Sequence, residues 1–138
     1  MKLIRIAKGR WDVLAVVDPR DRCQVLDLLD GTSAGSCTAR NFLSVLLQIY
    51  LPLEGPPTCN HQICKPLDGE IFELRGPRGL EPRVLFFDGD SHRIVCTSFA
   101  KVEVPRSEIL ASRELRAQYF ETKSRSELLV IEEARRRD

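Results

Sequence analysis

The sequence predicts an α+β fold in which a pair of helices precedes a set of short strands. Apolar residues recur at helical spacing within residues 37–52. After residue 62 the pattern changes to short β-rich runs, separated by turns that contain glycine or proline. These runs are ICKPL, EIFELR, RVLFF and RIVCTSF. We therefore expect a meander of antiparallel strands behind a helical hairpin.

The N-terminal residues predict a strand followed by a helix. WDVLAVV is rich in β-branched and aromatic residues, and KLIRI is a candidate partner strand across Gly9. The segment DPRDRCQVLDLLDG then carries the signals of a helix. Asp18 is the expected N-cap, Pro19 the first helical residue, and Gly31 follows the end.

The segment CTARNFLSVLLQIYLP gives the second helix of the pair. Its apolar positions follow the i, i+3, i+4, i+7 pattern of one helix face. They are Ala39, Phe42, Leu43, Leu46, Leu47 and Tyr50. Because proline lacks a backbone N–H and clashes with the preceding turn, we expect Pro52 to end this helix.

The C-terminal region predicts further helices. PRSEILASRELRAQYFETK has a proline at its entry and apolar residues near helical spacing. Ser124 and Glu127 then form a capping-box pattern, so a further helix is expected through LLVIEEARRRD. We divide the chain into a domain at 1–122 and a C-terminal helical extension at 123–138. The apolar run LLVI either packs on the domain or forms a patch that a partner covers.

Composition limits the function classes. The 138 residues fit one domain, and 21 basic against 20 acidic residues give a net charge of +1. This balance favours neither a nucleic acid nor a membrane partner, so recognition by charge must come from local clusters. Five cysteines, an odd number, and no signal-peptide pattern predict reduced thiols in a cytoplasmic protein. No apolar run approaches the roughly 18 residues of a membrane span.

The stretch FELRGPRGLEPRVLFF stands out because it carries Arg75, Arg78 and Arg83. The planar arginine fork donates two hydrogen bonds to a phosphate and stays charged, which makes a strand-end arginine a candidate phosphate ligand. The alternative is that the arginines are solvated or paired with acids. The acids available for pairing are Glu73, Glu81 and Asp88.

The order of motifs resembles the phage-derived HigB-type branch of the RelE/ParE toxin superfamily, over roughly residues 12–122. After the helix pair come KPLDGEIFELR, PRVLFFDGD, RIVCTSFAK and then P..EI..A. The most specific parts are Lys65 before Pro-Leu, the triplet Glu73-Leu74-Arg75, Arg83 opening a strand, and Phe99 two residues before Lys101. The resemblance implies a RelE-like fold: a twisted antiparallel sheet with a cationic concave face and two helices on its other side.

The resemblance also implies an activity. RelE-like members cleave mRNA in the ribosomal A site without a metal, with the ribose 2′-hydroxyl attacking the adjacent phosphate. Carried over to this sequence, Arg75, Arg83 and Lys101 would be catalytic, and Lys65 and Arg78 would bind RNA. Arg78 lies in a turn rich in glycine and proline, where it is also compatible with a solvated role.

The acid and base of such a reaction are less defined by the sequence. His92 and Tyr119 are candidates by residue type only, since neither lies in a recognisable motif. The resemblance further implies no cofactor, and as partners a helix-turn-helix antitoxin, the ribosome and mRNA, with no membrane.

A non-catalytic protein is the alternative. It would be a ParE-like topoisomerase inhibitor, or a prophage-derived remnant that binds an antitoxin-like partner. The connection VEV after Lys101 is short, and its Glu103 would repel RNA phosphates.

The stretch CNHQIC supplies three candidate zinc ligands, Cys59, His61 and Cys64. A structural zinc site needs four ligands, and no matching second pair follows at zinc-finger spacing. We therefore expect cysteines packed in or beside the sheet, and no metal site.

Overall fold

The computed structural model describes residues 1–31, 37–57, 63–76, 82–100 and 104–132. The strands in these ranges are β1 (Lys2–Ala7), β2 (Asp12–Val16), β3 (Cys64–Pro66), β4 (Phe72–Arg75), β5 (Arg83–Asp88), β6 (Arg93–Ala100) and β7 (Leu129–Glu132). The helices are α1 (Gln24–Leu29), α2 (Cys37–Val45), α3 (Leu51–Glu54) and α4 (Arg106–Ser124). A π-helical segment, Leu46–Tyr50, joins α2 to α3.

The seven strands form one mixed sheet with the order β3-β4-β5-β6-β2-β1-β7. The predicted antiparallel meander from β3 to β6 is confirmed, as is the antiparallel pairing of β1 with β2. Two pairs are parallel, β2 with β6 and β1 with β7. The fold class is therefore α+β as predicted, but the expectation of a wholly antiparallel sheet was wrong.

Helices cover the two faces of the sheet differently. The α1–α3 segment packs on one face, where Val13, Leu74, Val84 and Phe86 contribute to an apolar core. On the other face α4 packs over Leu14, Leu85, Phe87 and Val95. Alternate residues along each strand point to opposite faces, and this alternation supplies both cores.

The first helix begins later than predicted. Its N-cap is Cys23, and α1 runs only from Gln24 to Leu29. The carboxylate of Asp18 instead accepts hydrogen bonds from the backbone N–H groups of Arg20 and Arg22, at 2.8 and 2.9 Å. Such local bonds stabilise a turn in competition with a helix start, so the expectation of an N-cap at Asp18 was wrong.

Pro52 does not end the second helix of the pair. It lies in the first turn of α3, where a missing backbone N–H costs little. The helix ends at Gly55, whose φ is 79°. The ring of Trp11 lies directly above this glycine, because a Cβ placed there would be 2.6 Å from the indole. Gly55 is therefore required by both its backbone conformation and the close contact.

The predicted C-terminal helix is not found within the described residues. Helix α4 ends at Ser124, Ser126 has a φ of 57°, and Leu129–Glu132 form β7. The β-branched residues of LVIE complete the open edge of β1, with Leu3 opposite Val130 and Ile4 opposite Ile131. Pairing with a distant strand thus outweighs the local capping-box signal. Residues 133–138 lie outside the described part of the chain.

Within the described ranges, no helix has the length and apolar character needed to cross a membrane.

Candidate functional site

Four charged side chains lie together at one end of the sheet, on the face that α4 covers. In the strand register Lys65 is opposite Glu73, and Arg75 is opposite Arg83. Glu73 is also opposite Leu85, a residue of the core beneath α4, which fixes the face on which the group lies. We call Lys65, Glu73, Arg75 and Arg83 the arginine cluster.

The alternation of β4 and β5 explains why these side chains meet. In FELR, Phe72 and Leu74 face the α1–α3 side, so Glu73 and Arg75 face the α4 side. In RVLFFD the same alternation places Arg83 on the α4 side. Because Arg75 ends one strand and Arg83 begins the next, both guanidinium groups lie at the same end of the sheet.

Glu73 lies between the two arginines. Its Oε2 is 3.9 Å from Nε of Arg75, and its Oε1 is 3.9 Å from Nε of Arg83. These are ion-pair separations, too long for hydrogen bonds between the same atoms. The side chain of Glu73 is 3% exposed, against 20% for Arg75 and 14% for Arg83. Arg75 and Arg83 therefore both form ion pairs with Glu73, one of the acids that the sequence made available for pairing.

The arginine cluster holds three basic residues and one acid. Arg75 and Arg83 both pair with the Glu73 carboxylate, and Lys65, which is exposed to solvent, is opposite Glu73 in the strand register. Opposite charges stabilise Glu73 in its buried position. The excess of basic over acidic side chains in the cluster makes this end of the sheet a candidate anion site.

A group of buried hydroxyls, missed by the sequence analysis, lies next to the arginine cluster. Thr97 Oγ1 and Ser112 Oγ are 2.7 Å apart, joining β6 to α4, and Thr97 also donates to the carbonyl of Leu85 at 3.4 Å. Ser98 Oγ donates to Oε2 of Glu108 at 3.3 Å. The available signal was the pair Thr-Ser inside the otherwise apolar run RIVCTSF.

A cleft of about 650 Å³ opens beside these hydroxyls. It lies between α4, the end of β6 and the segment that joins β2 to α1. Its charged lining is formed by Lys2, Arg22, Asp18, Asp21 and Glu108, and its neutral polar lining includes Gln24, Ser98 and Gln118. Since Ser98 is opposite Leu85 and Ala100 is opposite Arg83, the cleft lies one strand from the arginine cluster.

Neither predicted acid-base residue is brought to the arginine cluster. Tyr119 is buried and its hydroxyl donates to the carbonyl of Gly89 at 3.0 Å, near the far end of β5. Asp88 is five positions beyond Arg83 along that strand, which is about 17 Å. Burial raises the pKa of the Tyr119 phenol. This side chain is thus held as a structural hydrogen-bond donor.

His92 also lies at the far end. It is exposed in the turn between β5 and β6, where Asp90, Ser91 and His92 all have positive φ. Its ring meets that of Trp11 edge to face, with centroids 4.9 Å apart. The backbone carbonyl of His92 accepts a hydrogen bond from the N–H of Asp12 at 2.9 Å. These contacts give His92 a place in the fold, away from the arginines.

Several predicted residues lie outside the described part of the chain. Lys101 and Arg78 are among them, as are Cys59 and His61 of the CNHQIC stretch. Cys64 is buried in the core beneath α1–α3. Among the described residues, no group of three or more His, Cys, Asp and Glu side chains is arranged to hold a metal ion.

Comparison of the chain with protein-family models, with curated proteins and with solved structures finds no match. The fold and the arginine cluster therefore define the class of protein only as an α+β chain with a candidate anion site at one end of a mixed sheet.

Proposed function

We propose that the chain is the toxin of a type II toxin-antitoxin pair and cleaves mRNA on the ribosome without a metal ion. The observation that carries the proposal is the pairing of Arg75 opposite Arg83 on adjacent strands. These are the two arginines that the resemblance to HigB-type toxins assigns to catalysis. Their common end and face of the sheet support a shared phosphate ligand.

The reaction needs positive charge where the phosphate becomes more negative. Attack by a 2′-hydroxyl builds charge on the phosphoryl oxygens, and guanidinium groups fixed in advance stabilise that charge. Losing one such donor typically costs about 2.7–4 kcal/mol of transition-state stabilisation. In this proposal Arg75 and Arg83 share the phosphate, and Lys65 and Lys101 bind neighbouring phosphates.

Glu73 takes a role that the sequence analysis did not give it. Its carboxylate lies within 3.9 Å of both guanidinium groups. It holds them at this end of the sheet, beside the position proposed for the phosphate. We propose that Glu73 accepts the proton of the attacking 2′-hydroxyl, in place of His92 or Tyr119. As the 2′-oxygen bonds to phosphorus, the P–O5′ bond breaks and the leaving 5′-oxygen takes a proton from water.

The proposal includes partners and a location. A helix-turn-helix antitoxin would bind the toxin and hide the arginine cluster, and the toxin would act in the cytoplasm on ribosome-bound mRNA. No cofactor takes part in the proposed chemistry.

A second candidate is a non-catalytic interaction protein, and one observation favours it. Arg75 and Arg83 are mostly buried beside a carboxylate that offsets part of their charge. Such a cluster also suits a structural ion network beneath a surface that binds a topoisomerase or an antitoxin-like protein.

Expression of the chain in bacteria distinguishes the two functions. The first predicts growth arrest with mRNA cleaved inside codons, and relief by Arg83→Ala and by Arg83→Lys, since lysine keeps the charge but not the fork. Arg125→Ala is the matched control, because that arginine is exposed and pairs with Glu121 far from the cluster. Arrest with intact mRNA and blocked gyrase supports the second function. Arrest with cleavage that Arg83→Lys leaves unchanged overturns the role of Arg83.

A further inference from the structure

We infer that the cleft beside β6 and α4 is a nucleobase pocket that prefers guanine. It would hold the base of the nucleotide whose phosphate binds Arg75 and Arg83, so the inference rests on the proposed function for its link to RNA. The residue that selects the base is Glu108. The argument uses the position of the cleft, its size and the chemistry of its lining.

Position links the cleft to the arginine cluster. Arg83 is opposite Ala100, and Leu85 is opposite Ser98, so Ser98 is a diagonal neighbour of Arg83. Diagonal neighbours on one face of an antiparallel pair lie about 7–8 Å apart. One ribose joins a phosphate to its base, and a nucleotide can therefore bridge Arg83 and the mouth of the cleft.

The size of the cleft and its walls suit a planar ring. A volume of about 650 Å³ lies within the range of small-molecule sites, about 300–1,000 Å³. The apolar part of the cleft wall is formed by Val16, Val17, Ala111 and Leu115. The Thr97–Ser112 hydrogen bond of 2.7 Å joins the floor to α4 and holds the cleft in shape before a ligand enters.

Glu108 gives the cleft its selectivity. An ionised carboxylate only accepts hydrogen bonds, so it favours the base edge with the most adjacent donors. Guanine has two adjacent donors, a ring N–H and an exocyclic amine. Adenine and cytosine have an amine beside an acceptor nitrogen, and uracil has one N–H between two carbonyls. Only guanine therefore offers two adjacent donors to the carboxylate. The bond from Ser98 Oγ to Oε2, at 3.3 Å, orients the carboxylate. In the inferred complex both carboxylate oxygens accept from guanine, one from the ring N–H and one from the amine.

The cations of the cleft complete the match. Lys2 and Arg22 line it together with Asp18 and Asp21, and Lys2 pairs with Asp21. The guanidinium group of Arg22 and the side-chain amides of Gln24 and Gln118 offer donors to a base. Guanine carries a carbonyl acceptor next to the ring N–H that Glu108 would bind. A lining that has a carboxylate and separate donors therefore offers a complement to both groups of that edge.

The test uses nucleosides, which lack phosphate, and inorganic phosphate as separate probes of the full chain. Amide shifts in two-dimensional NMR spectra report where each probe binds. Guanosine is expected to shift Ser98, Glu108 and Ser112 and to bind at least about tenfold tighter than uridine, which corresponds to about 1.4 kcal/mol. Phosphate is expected to shift Arg75 and Arg83 instead.

Two variants isolate the selecting residue. Glu108→Gln should weaken guanosine binding about tenfold, because the amide replaces one acceptor with a donor. Glu114→Gln on the same helix is the matched control, since Glu114 is exposed and does not line the cleft. Equal guanosine affinities in the two variants would overturn the role of Glu108.

The two probes also separate this inference from the proposed function. Phosphate binding at the arginines with no nucleoside shifts in the cleft overturns the base pocket and leaves the nuclease proposal standing. Guanosine binding in the cleft with no phosphate binding at Arg75 and Arg83 supports the pocket and counts against the nuclease. Equal shifts from all four nucleosides overturn the preference for guanine.

Discussion

The two sides of α4 differ in what they contact. One side meets the far end of the sheet through aromatic rings and ion pairs, and the other side faces the cleft near the arginine cluster. Both sides belong to one helix on one face of one sheet. The contrast indicates which side holds the helix in place and which side leaves room for a ligand.

The far side is closed by packing. The ring centroids of Phe87 and Tyr119 are 5.4 Å apart, and those of Tyr119 and Phe120 are 5.1 Å apart. Lys123 Nζ donates to the carbonyl of Gly89 at 3.1 Å, the same carbonyl that accepts from Tyr119. Apolar burial and satisfied polar groups make this side the anchor of α4.

Ion pairs extend the anchor to the turn between β3 and β4. Nη1 of Arg106 donates to Oδ2 of Asp68 at 2.7 Å, and Nη1 of Arg113 lies 3.4 Å from the same oxygen. The hydrogen bond from Arg106 holds the pKa of the Asp68 carboxyl below its usual value. These groups are partly or fully exposed, so they fix the direction of α4 more than they stabilise the fold.

The cleft side carries polar groups where the far side carries rings. Thr97, Ser98 and Ser112 are buried, and each makes a hydrogen bond that an apolar residue would not need. Polar groups of this kind contribute less than packed rings do, and proteins commonly tolerate that loss at functional sites. The comparison makes the cleft side of α4 the candidate side for a ligand, and mutations can test it.

The largest expected effect is on the anchor. Tyr119→Ala removes a fully buried ring and should lower the free energy of unfolding by about 3–5 kcal/mol. Tyr119→Phe keeps the ring and loses only the bond to Gly89, for about 1 kcal/mol. Urea unfolding measures both. A loss below 1 kcal/mol for the alanine variant would show that α4 is anchored elsewhere.

On the cleft side we expect a smaller loss that a second change reverses. Thr97→Val leaves the buried Ser112 hydroxyl without its 2.7 Å partner and should cost about 1–3 kcal/mol. Adding Ser112→Ala removes the unsatisfied group, so the double variant should be more stable than Thr97→Val alone. Urea unfolding of the parent chain, Thr97→Val, Ser112→Ala and the double variant gives the coupling energy between the two hydroxyls. Additive losses would mean that the two hydroxyls do not depend on each other.

Glu73→Gln is expected to change phosphate binding and mRNA cleavage in opposite directions. It removes the negative charge between Arg75 and Arg83, so inorganic phosphate should bind at least several-fold tighter, because the repulsion between two anions on the same arginines is lost. Cleavage of mRNA should fall in the same variant, because glutamine accepts no proton. Glu114→Gln controls for the loss of one surface charge. Weaker phosphate binding with unchanged cleavage would refute both roles of Glu73.

The smallest effect is a dependence on alkaline pH. Burial raises the pKa of Tyr119 in the folded chain, so its neutral form stabilises the fold at every pH below about 10, the ordinary tyrosine value. That contribution is lost as the pH rises above this value toward the folded pKa. Between pH 9 and 11, Tyr119→Phe should lose less stability than the parent chain. Tyr50→Phe, at an exposed position, should behave like the parent.

Burial also raises the pKa of the Cys96 thiol, which is present in all three chains. The stability that ionisation of Cys96 costs at alkaline pH is therefore the same in the parent chain and both variants, and it cancels when their free energies of unfolding are compared. If the free energy of unfolding changes with pH in the same way in Tyr119→Phe and Tyr50→Phe, ionisation of the Tyr119 phenol is not the cause of the alkaline loss of stability.

The sequence predicted those parts of the fold that depend on neighbouring residues. The meander and the first hairpin follow from alternation and turns, and so does the meeting of Arg75 with Arg83 across one turn. Strand β7 was missed because it pairs with β1 in parallel, a contact between distant residues that no local pattern encodes. The N-cap expected at Asp18 was wrong because aspartate also stabilises turns. The helix end expected at Pro52 was wrong because proline is also favourable in the first turn of a helix.

The candidate site was predictable only in part, for the same reason. Residue type suggested His92 and Tyr119 as acid and base, but type carries no information on which end of a strand a side chain occupies. Glu73 was visible as a counter-ion because it lies two residues from Arg75. Glu108 and Ser98 meet only when α4 folds back on β6, so their pairing appears first in the structure.

The parallel pairing of β2 with β6 also determines the order in which the chain can fold. Asp12 pairs with Arg93, so most of the chain must be synthesised before the first hairpin can join the meander. Closing so long a loop is entropically costly and slows folding relative to locally connected folds. The cleft needs β2, β6 and α4 together. A nascent chain released before residue 118 would therefore carry the arginines without the cleft beside them.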